Sequence, residues 1–292
     1  MGLFSGLEKF GFNIKGIKNI YEDPAEEKAE EKAEAKVVKK EEEKPPEEKD
    51  FLVLKYVTCP VCNLKFRSQF VKSGKARRIG ADRDLRPHFS HIDTLKYDVV
   101  SCPKCGYSAI SRGFEGISLA QAKLVRDQIC SKFEGKDAGV PDTTDTIYSY
   151  DYSIEMHKLG LLCSVVKRAS FSEKAYTCLK LSWLYRGMIE EILKKDPEAD
   201  VAEFREEEKE YYQQAYDGML MAITKETYPI CGMDQETLDY LIATMAFQLG
   251  DLEKASRFLS AVILSKTVKK STKDKALELK EEIIAAIKNN KA

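Results

Sequence analysis

Tyr56-Val57-Thr58-Cys59-Pro60-Val61-Cys62 and Tyr97-Asp98-Val99-Val100-Ser101-Cys102-Pro103-Lys104-Cys105-Gly106 follow one local pattern, an apolar run ending in a Cys-x-x-Cys pair. Two thiolates three residues apart can be turned onto one ion by a single tight loop. Two such loops complete the tetrahedral soft-ligand set that Zn2+ favours. Cys59, Cys62, Cys102 and Cys105 are therefore the expected ligands of one structural Zn2+, because four thiolates leave no position for water or substrate. A redox dithiol is the rival chemistry for a single pair, but it calls for a βαβ unit and a helix opening at the pair, and neither is visible in the flanking residues.

Outward from the cysteines the pattern is short strands. Residues 51–58 lead into the first loop and residues 64–71 return from it with alternating apolar and polar side chains. Residues 97–101 enter the second loop and 107–110 leave it, so a strand, knuckle, strand unit is used twice.

Beyond Ile117 the apolar period becomes helical. Ser118-Leu119-Ala120-Gln121 reads as a capping box for a helix reaching about residue 133, followed by a loop over residues 135–146. Helices are expected over residues 148–168, from a Ser170 cap towards 193, and over 201–225, 235–249, 252–265 and 271–289. Leu241 to Leu259, with its Gly250-Asp251 turn and Ala255 five residues after the glycine, resembles a tetratricopeptide hairpin; Leu159 to Leu179, with Ala175, is similar. Cys163 and Cys178 read there as small core residues, and the spacing of the two alanines makes the array irregular.

The N-terminal fifty residues are different in kind. In residues 1–21 Leu3, Phe4, Leu7, Phe10, Ile14, Ile17 and Ile20 have the spacing of a short amphipathic helix for a membrane surface or a partner. Gly2, Gly6, Gly11 and Gly16 weaken that helix, and a frayed terminus is the preferred reading. Residues 22–50 are nearly all Glu, Lys, Ala and Pro, too poor in apolar groups to offset their ordering entropy, and read as a disordered linker.

The resulting organisation is a segment 1–21, a linker 22–50, a zinc-binding module 51–116 and a helical domain 117–292. The fold class is α+β, a small four-cysteine zinc-ribbon-like β module followed by an all-α tetratricopeptide-like helical domain. At 292 residues, with 43% hydrophobic residues and a net charge of −1, the chain is ordinary for a globular protein. Of its eight cysteines four have metal spacing and four (Cys130, Cys163, Cys178, Cys231) are scattered, which points to a reducing compartment. With no apolar stretch of membrane-spanning length and no secretory signal pattern, the expectation is a cytoplasmic protein.

The insert between the cysteine pairs carries charge. From Lys55 to Arg112 there are twelve Lys or Arg and four Asp, so the module stays basic even after a four-thiolate zinc adds two negative charges. Arg77, Arg78, Arg83 and Arg86 are the candidate contacts to nucleic acid or another anion. Asp82 and Asp84, flanked by these arginines, read as a salt-bridged turn, and His88 and His91 as surplus to a complete thiolate set.

The order Tyr56 to Cys62, Lys65-Phe66, Asp82-Arg83-Asp84-Leu85-Arg86-Pro87-His88, Thr94 to Ala109 and Lys180-Leu181-Ser182-Trp183-Leu184-Tyr185-Arg186 resembles an uncharacterised bacterial family, the domain of unknown function numbered 2225. The resemblance covers about residues 56–186. It implies a bacterial cytoplasmic protein with a cysteine-paired zinc module and a helical region, and it brings no established activity. Asn63 stands where such knuckles often carry Gly, a position Asn tolerates because its side chain accepts the left-handed conformation. The expected function is non-enzymatic: a zinc-binding scaffold or adaptor whose helical groove takes a protein partner. The alternative is a nucleic-acid-binding zinc protein that uses the basic insert. No motif identifies a small-molecule substrate.

Overall fold

The computed structural model describes residues 46–134 and 146–289, and the described residues from Glu47 onward belong to one compact unit. The amphipathic reading of residues 1–21 and most of the linker fall outside the described residues. The end of the expected linker is structured: Glu48–Phe51 form a 3-10 turn in which Glu48 accepts from Tyr97 Oη at 2.9 Å and pairs with Lys96 at 2.6 Å. Paired charges, with Phe51 buried behind them, hold this piece that composition alone assigns to solvent.

Among the described residues three two-stranded antiparallel ribbons precede the helices. Strand β1 (Leu52–Thr58) pairs with β2 (Lys65–Val71) from Leu52 opposite Val71 to Thr58 opposite Lys65. Strand β5 (Val99–Ser101) pairs with β6 (Ser108–Ile110) across the second cysteine loop. Between them β3 (Arg78–Ala81) and β4 (Pro87–Phe89) make a hairpin with an irregular register. This hairpin lies outside the sequence expectation; its strands are short, β3 mostly exposed and β4 half-buried, and carry no alternating pattern.

Among the described residues seven α-helices follow. Helix α1 (Leu119–Val125) opens on the expected capping box, with Ser118 Oγ accepting from Gln121 N and the Gln121 side chain accepting from Ser118 N, and it widens into a π turn at Arg126–Cys130. Helices α2 (Tyr150–Val166) and α3 (Phe171–Lys195) are joined by a tight turn, α4 (Ala202–Lys225) lies along α3, and α5 (Gln235–Gln248), α6 (Leu252–Leu264) and α7 (Lys270–Asn289) complete the region. The architecture is α+β, small antiparallel strand pairs followed by helices.

The α2–α3 and α5–α6 turns share one geometry. After α5, Gly250 takes φ 83°, its N–H donates to Phe247 O and the Asp251 N–H donates to Ala246 O. After α2, Arg168 takes φ 53°, its N–H donates to Val165 O and the Ala169 N–H donates to Ser164 O. Both are Schellman ends, and each runs directly into an N-cap, Asp251 for α6 and Ser170 for α3.

The largest core is built by α3 to α7, with Leu179, Leu181, Leu184, Leu238, Leu241 and Met245 almost wholly inaccessible. A second apolar cluster underlies the cysteine loops and reaches α2 through Cys163, which lies under β6 and receives the Ser108 N–H at its sulfur. Cys178 belongs to the helical core, so both cysteines are small core residues, in different cores. Among the described residues no helix is long and apolar enough to cross a membrane.

Candidate metal centre

The two cysteine loops are built alike. In the first, the Cys59 N–H donates to Leu64 O and the Asn63 N–H to Cys59 O, both at 2.9 Å. In the second, the Cys102 N–H donates to Tyr107 O at 2.8 Å and the Gly106 N–H to Cys102 O at 3.0 Å. The residue after each pair is left-handed, Asn63 at φ 59° and Gly106 at φ 73°, which turns the backbone so that both sulfurs face the same way. Asn63 thus makes the turn that its position demands. Gly106 has a second constraint, because the Phe133 ring occupies the space that a Cβ would take.

The four sulfurs of Cys59, Cys62, Cys102 and Cys105 lie within 4.8 Å of one another. Cys59 and Cys105 are 3.6 Å apart at sulfur, as are Cys62 and Cys102. A disulfide needs about 2.05 Å, whereas a tetrahedron with Zn–S bonds of about 2.3 Å has edges of about 3.8 Å. The donor set therefore fits a metal ion such as zinc. Cys59, Cys102 and Cys105 are buried and Cys62 is partly exposed.

Crowded thiols also compete for protons. Hydrogen bonds from Cys105 and then Cys59 hold Cys102 below the ordinary thiol range, while the bond to Cys102 pushes Cys59 up and drives Cys105 up as well. A metal ion arriving here must displace the protons that these thiols share, so uptake falls with acid. Sequence spacing does not reveal Cys130: the π turn brings it beside Cys105, where burial pushes its thiol up and favours the protonated form. Arg126, from the same turn, donates to Val61 O at 3.2 Å and ties α1 to the first loop.

The four arginines of the insert separate into two kinds. Arg77 and Arg78 are exposed at the start of the β3–β4 hairpin. Arg86 is 3% exposed and donates both terminal nitrogens to Glu190 of α3 at 2.8 Å, so it presents nothing to a nucleic-acid phosphate. That corrects its expected role as an anion contact. Arg83 is exposed but forked onto Glu282 of α7, which removes its free charge as well.

Several other polar residues of the insert meet α3. Arg186 reaches Asp84 at 2.9 Å, Asp82 at 3.3 Å and Glu208 at 2.7 Å, and Lys180 pairs with Asp98. Burial pushes Asp82 up, but the His88 hydrogen bond at 2.6 Å and the charges of His88, Arg86 and Arg186 outweigh it and leave the carboxyl below its ordinary value. The salt-bridged turn at Asp82 and Asp84 is as expected, and its partners come from a helix a hundred residues on. His91 stacks on Phe51, with ring centroids 6.0 Å apart.

Two ribbons that bring four cysteines together, with the insert between them held by ion pairs to a helical region, define an α+β protein with a four-cysteine cluster that could hold a metal ion. The chain belongs to DUF2225, the uncharacterized protein conserved in bacteria, whose family model matches residues 52–283. The match takes in both cysteine loops, the insert and the helices almost to the end of α7. No curated protein and no solved structure matches.

Proposed function

We propose that this chain is a non-catalytic scaffold in which one structural Zn2+, held by Cys59, Cys62, Cys102 and Cys105, sets the shape of a zinc-ribbon-like module, and a tetratricopeptide-like helical region binds a protein partner. The observation that carries the metal half is the convergence of the four sulfurs from two equivalent loops. A full thiolate set has no open coordination position, which favours a structural ion over a catalytic one. The repeated Schellman turn and the buried Ala175 and Ala255 support the repeat-like reading of the α2–α3 and α5–α6 hairpins. Exposed apolar side chains on outer helix surfaces, among them Leu162, Val165 and Leu277, support a contact surface there.

Reduced thiols and Zn–thiolate chemistry suit the cytoplasm. Of the four arginines of the nucleic-acid reading, Arg77 and Arg78 alone pair with no carboxylate among the described residues, so the protein-partner reading is preferred.

A pull-down with the zinc-loaded full chain from extract of its own cells, with and without nuclease, tests the choice. A protein retained at stoichiometric amount after nuclease, and lost when Leu162 and Val165 are changed to Glu, supports the scaffold. Retention of nucleic acid that falls with salt and with Arg77→Ala/Arg78→Ala contradicts it.

A further inference from the structure

Between the insert and the helices lies a cavity of about 590 Å³, a size suited to a small molecule. The β3–β4 hairpin forms one wall, the second cysteine ribbon contributes its edge at Asp98 and Ser111, and α3 and α5 form the opposite wall. The apolar part is aromatic and branched: Phe70 and Phe89 on one side, Tyr176, Trp183 and Leu241 on the other. Leu85 also lines it, from a backbone at φ 70° that a leucine rarely adopts. An unfavourable conformation kept at a cavity wall marks a position held by its surroundings, here the Asp82–Arg86 turn and its ion pairs to α3.

The charges in the cavity do not cancel. Lys180 is buried against Asp98 and lies 4.6 Å from the Tyr176 ring centroid, a neutral pair at the helix wall. Arg78 lines the cavity from the hairpin, is exposed, and donates its Nε to Gly80 O at 3.2 Å; among the described residues no carboxylate pairs with it. One net positive charge thus stands beside an apolar, aromatic chamber.

We infer that this cavity is a binding site for a small organic carboxylate with an aromatic or branched apolar body, the carboxylate taken by Arg78 and the body packed between Leu85 and Trp183. The site goes beyond the scaffold reading and does not depend on which ion the cysteines hold. A ligand there would touch the hairpin, the ribbon edge and α3 together, and would therefore strengthen their docking.

Trp183 is the single tryptophan of the chain, so its emission reports occupancy directly. The full-length, metal-loaded protein is titrated with naphthalene-2-carboxylate, benzoate and octanoate, and with naphthalene-2-carboxamide as the uncharged control. Saturable quenching or shift of Trp183 emission at one equivalent is expected with at least one carboxylate. Affinity should fall about tenfold for the carboxamide and for Arg78→Ala, the scale of one charge-assisted hydrogen bond. Thr237→Phe, which places a ring in the cavity from α5 while leaving the backbone of the Asp234 cap untouched, should abolish the change. No saturable change with any of the three carboxylates up to millimolar concentration, or binding that neither Arg78→Ala nor Thr237→Phe alters, overturns the site.

Discussion

Trp183 donates its indole N–H to the Asp84 carboxylate at 3.1 Å, joining the insert between the cysteine loops to the middle of α3 across 99 residues of sequence. Asp84 is fully buried and also takes Arg186 at 2.9 Å. With Lys180–Asp98 and Arg86–Glu190, these contacts recur along α3 at helical spacing and clamp the insert onto it. Removing a buried carboxylate strands its donors. Asp84→Ala should therefore lower stability by about 3 kcal/mol, and Trp183→Phe, which leaves Arg186 on Asp84, by about 1–2 kcal/mol. Chemical denaturation of both variants checks the order; equal and negligible losses would mean that the clamp does not hold the module.

The helices and knuckle strands were legible because each has a local signature. Ser118 and Ser170 announce their helices by capping chemistry, and the cysteine pairs announce their turns. The clamp was not legible. Asp84, Trp183 and Arg186 are each ordinary in their own windows, and only the chain's return brings them together. The β3–β4 hairpin escaped for a related reason, since its short strands carry no alternation of their own and the turn that joins them is held by ion pairs to α3 and α7. Arg86 looked like a surface charge because composition cannot distinguish a free arginine from one forked onto Glu190.

The two left-handed positions after the cysteine pairs make opposite demands. At Gly106 a methyl group would meet Phe133 as well as an unfavourable φ, so Gly106→Ala should destabilise the module by about 1–2 kcal/mol or more and weaken metal retention. Asn63→Gly should be neutral within about 0.5 kcal/mol, because Asn already tolerates the conformation. Competition with a chromophoric chelator, run beside thermal melts, measures both effects.

At the α2–α3 turn Arg168 occupies the left-handed place that Gly250 fills after α5. Arg168→Gly should relieve that conformation and raise stability by about 1 kcal/mol, offset in part by the added freedom of the unfolded chain. A fall in the denaturation midpoint would show that Arg168 contributes a contact that outweighs its backbone cost.

His157 is wholly buried in α2, its Nδ1 bonded to Ser153 O at 2.7 Å, and burial pulls its pKa down to about 4. The unfolded imidazole takes a proton near pH 6.5 while the folded one does not, so stability present above about pH 6.5 is lost as pH falls towards 4. The loss amounts to about 3 kcal/mol. Asp239, pushed up to about 6 chiefly by burial, acts in the opposite sense, because its protonation favours the folded chain. Comparing the stability slope between about pH 4 and 6.5 with that of His157→Gln isolates the imidazole: the variant should lose the steep acid branch, and an unchanged slope would remove His157 as its cause.

Metal content decides the central claim. Elemental analysis of the purified full chain, with Cys59→Ser and Cys105→Ser beside it, should give one zinc per wild-type chain, less than about a tenth of that in either variant, and loosened folding of the module in both. Wild-type protein free of zinc, with both variants as stable as the parent, would contradict a metal-held module.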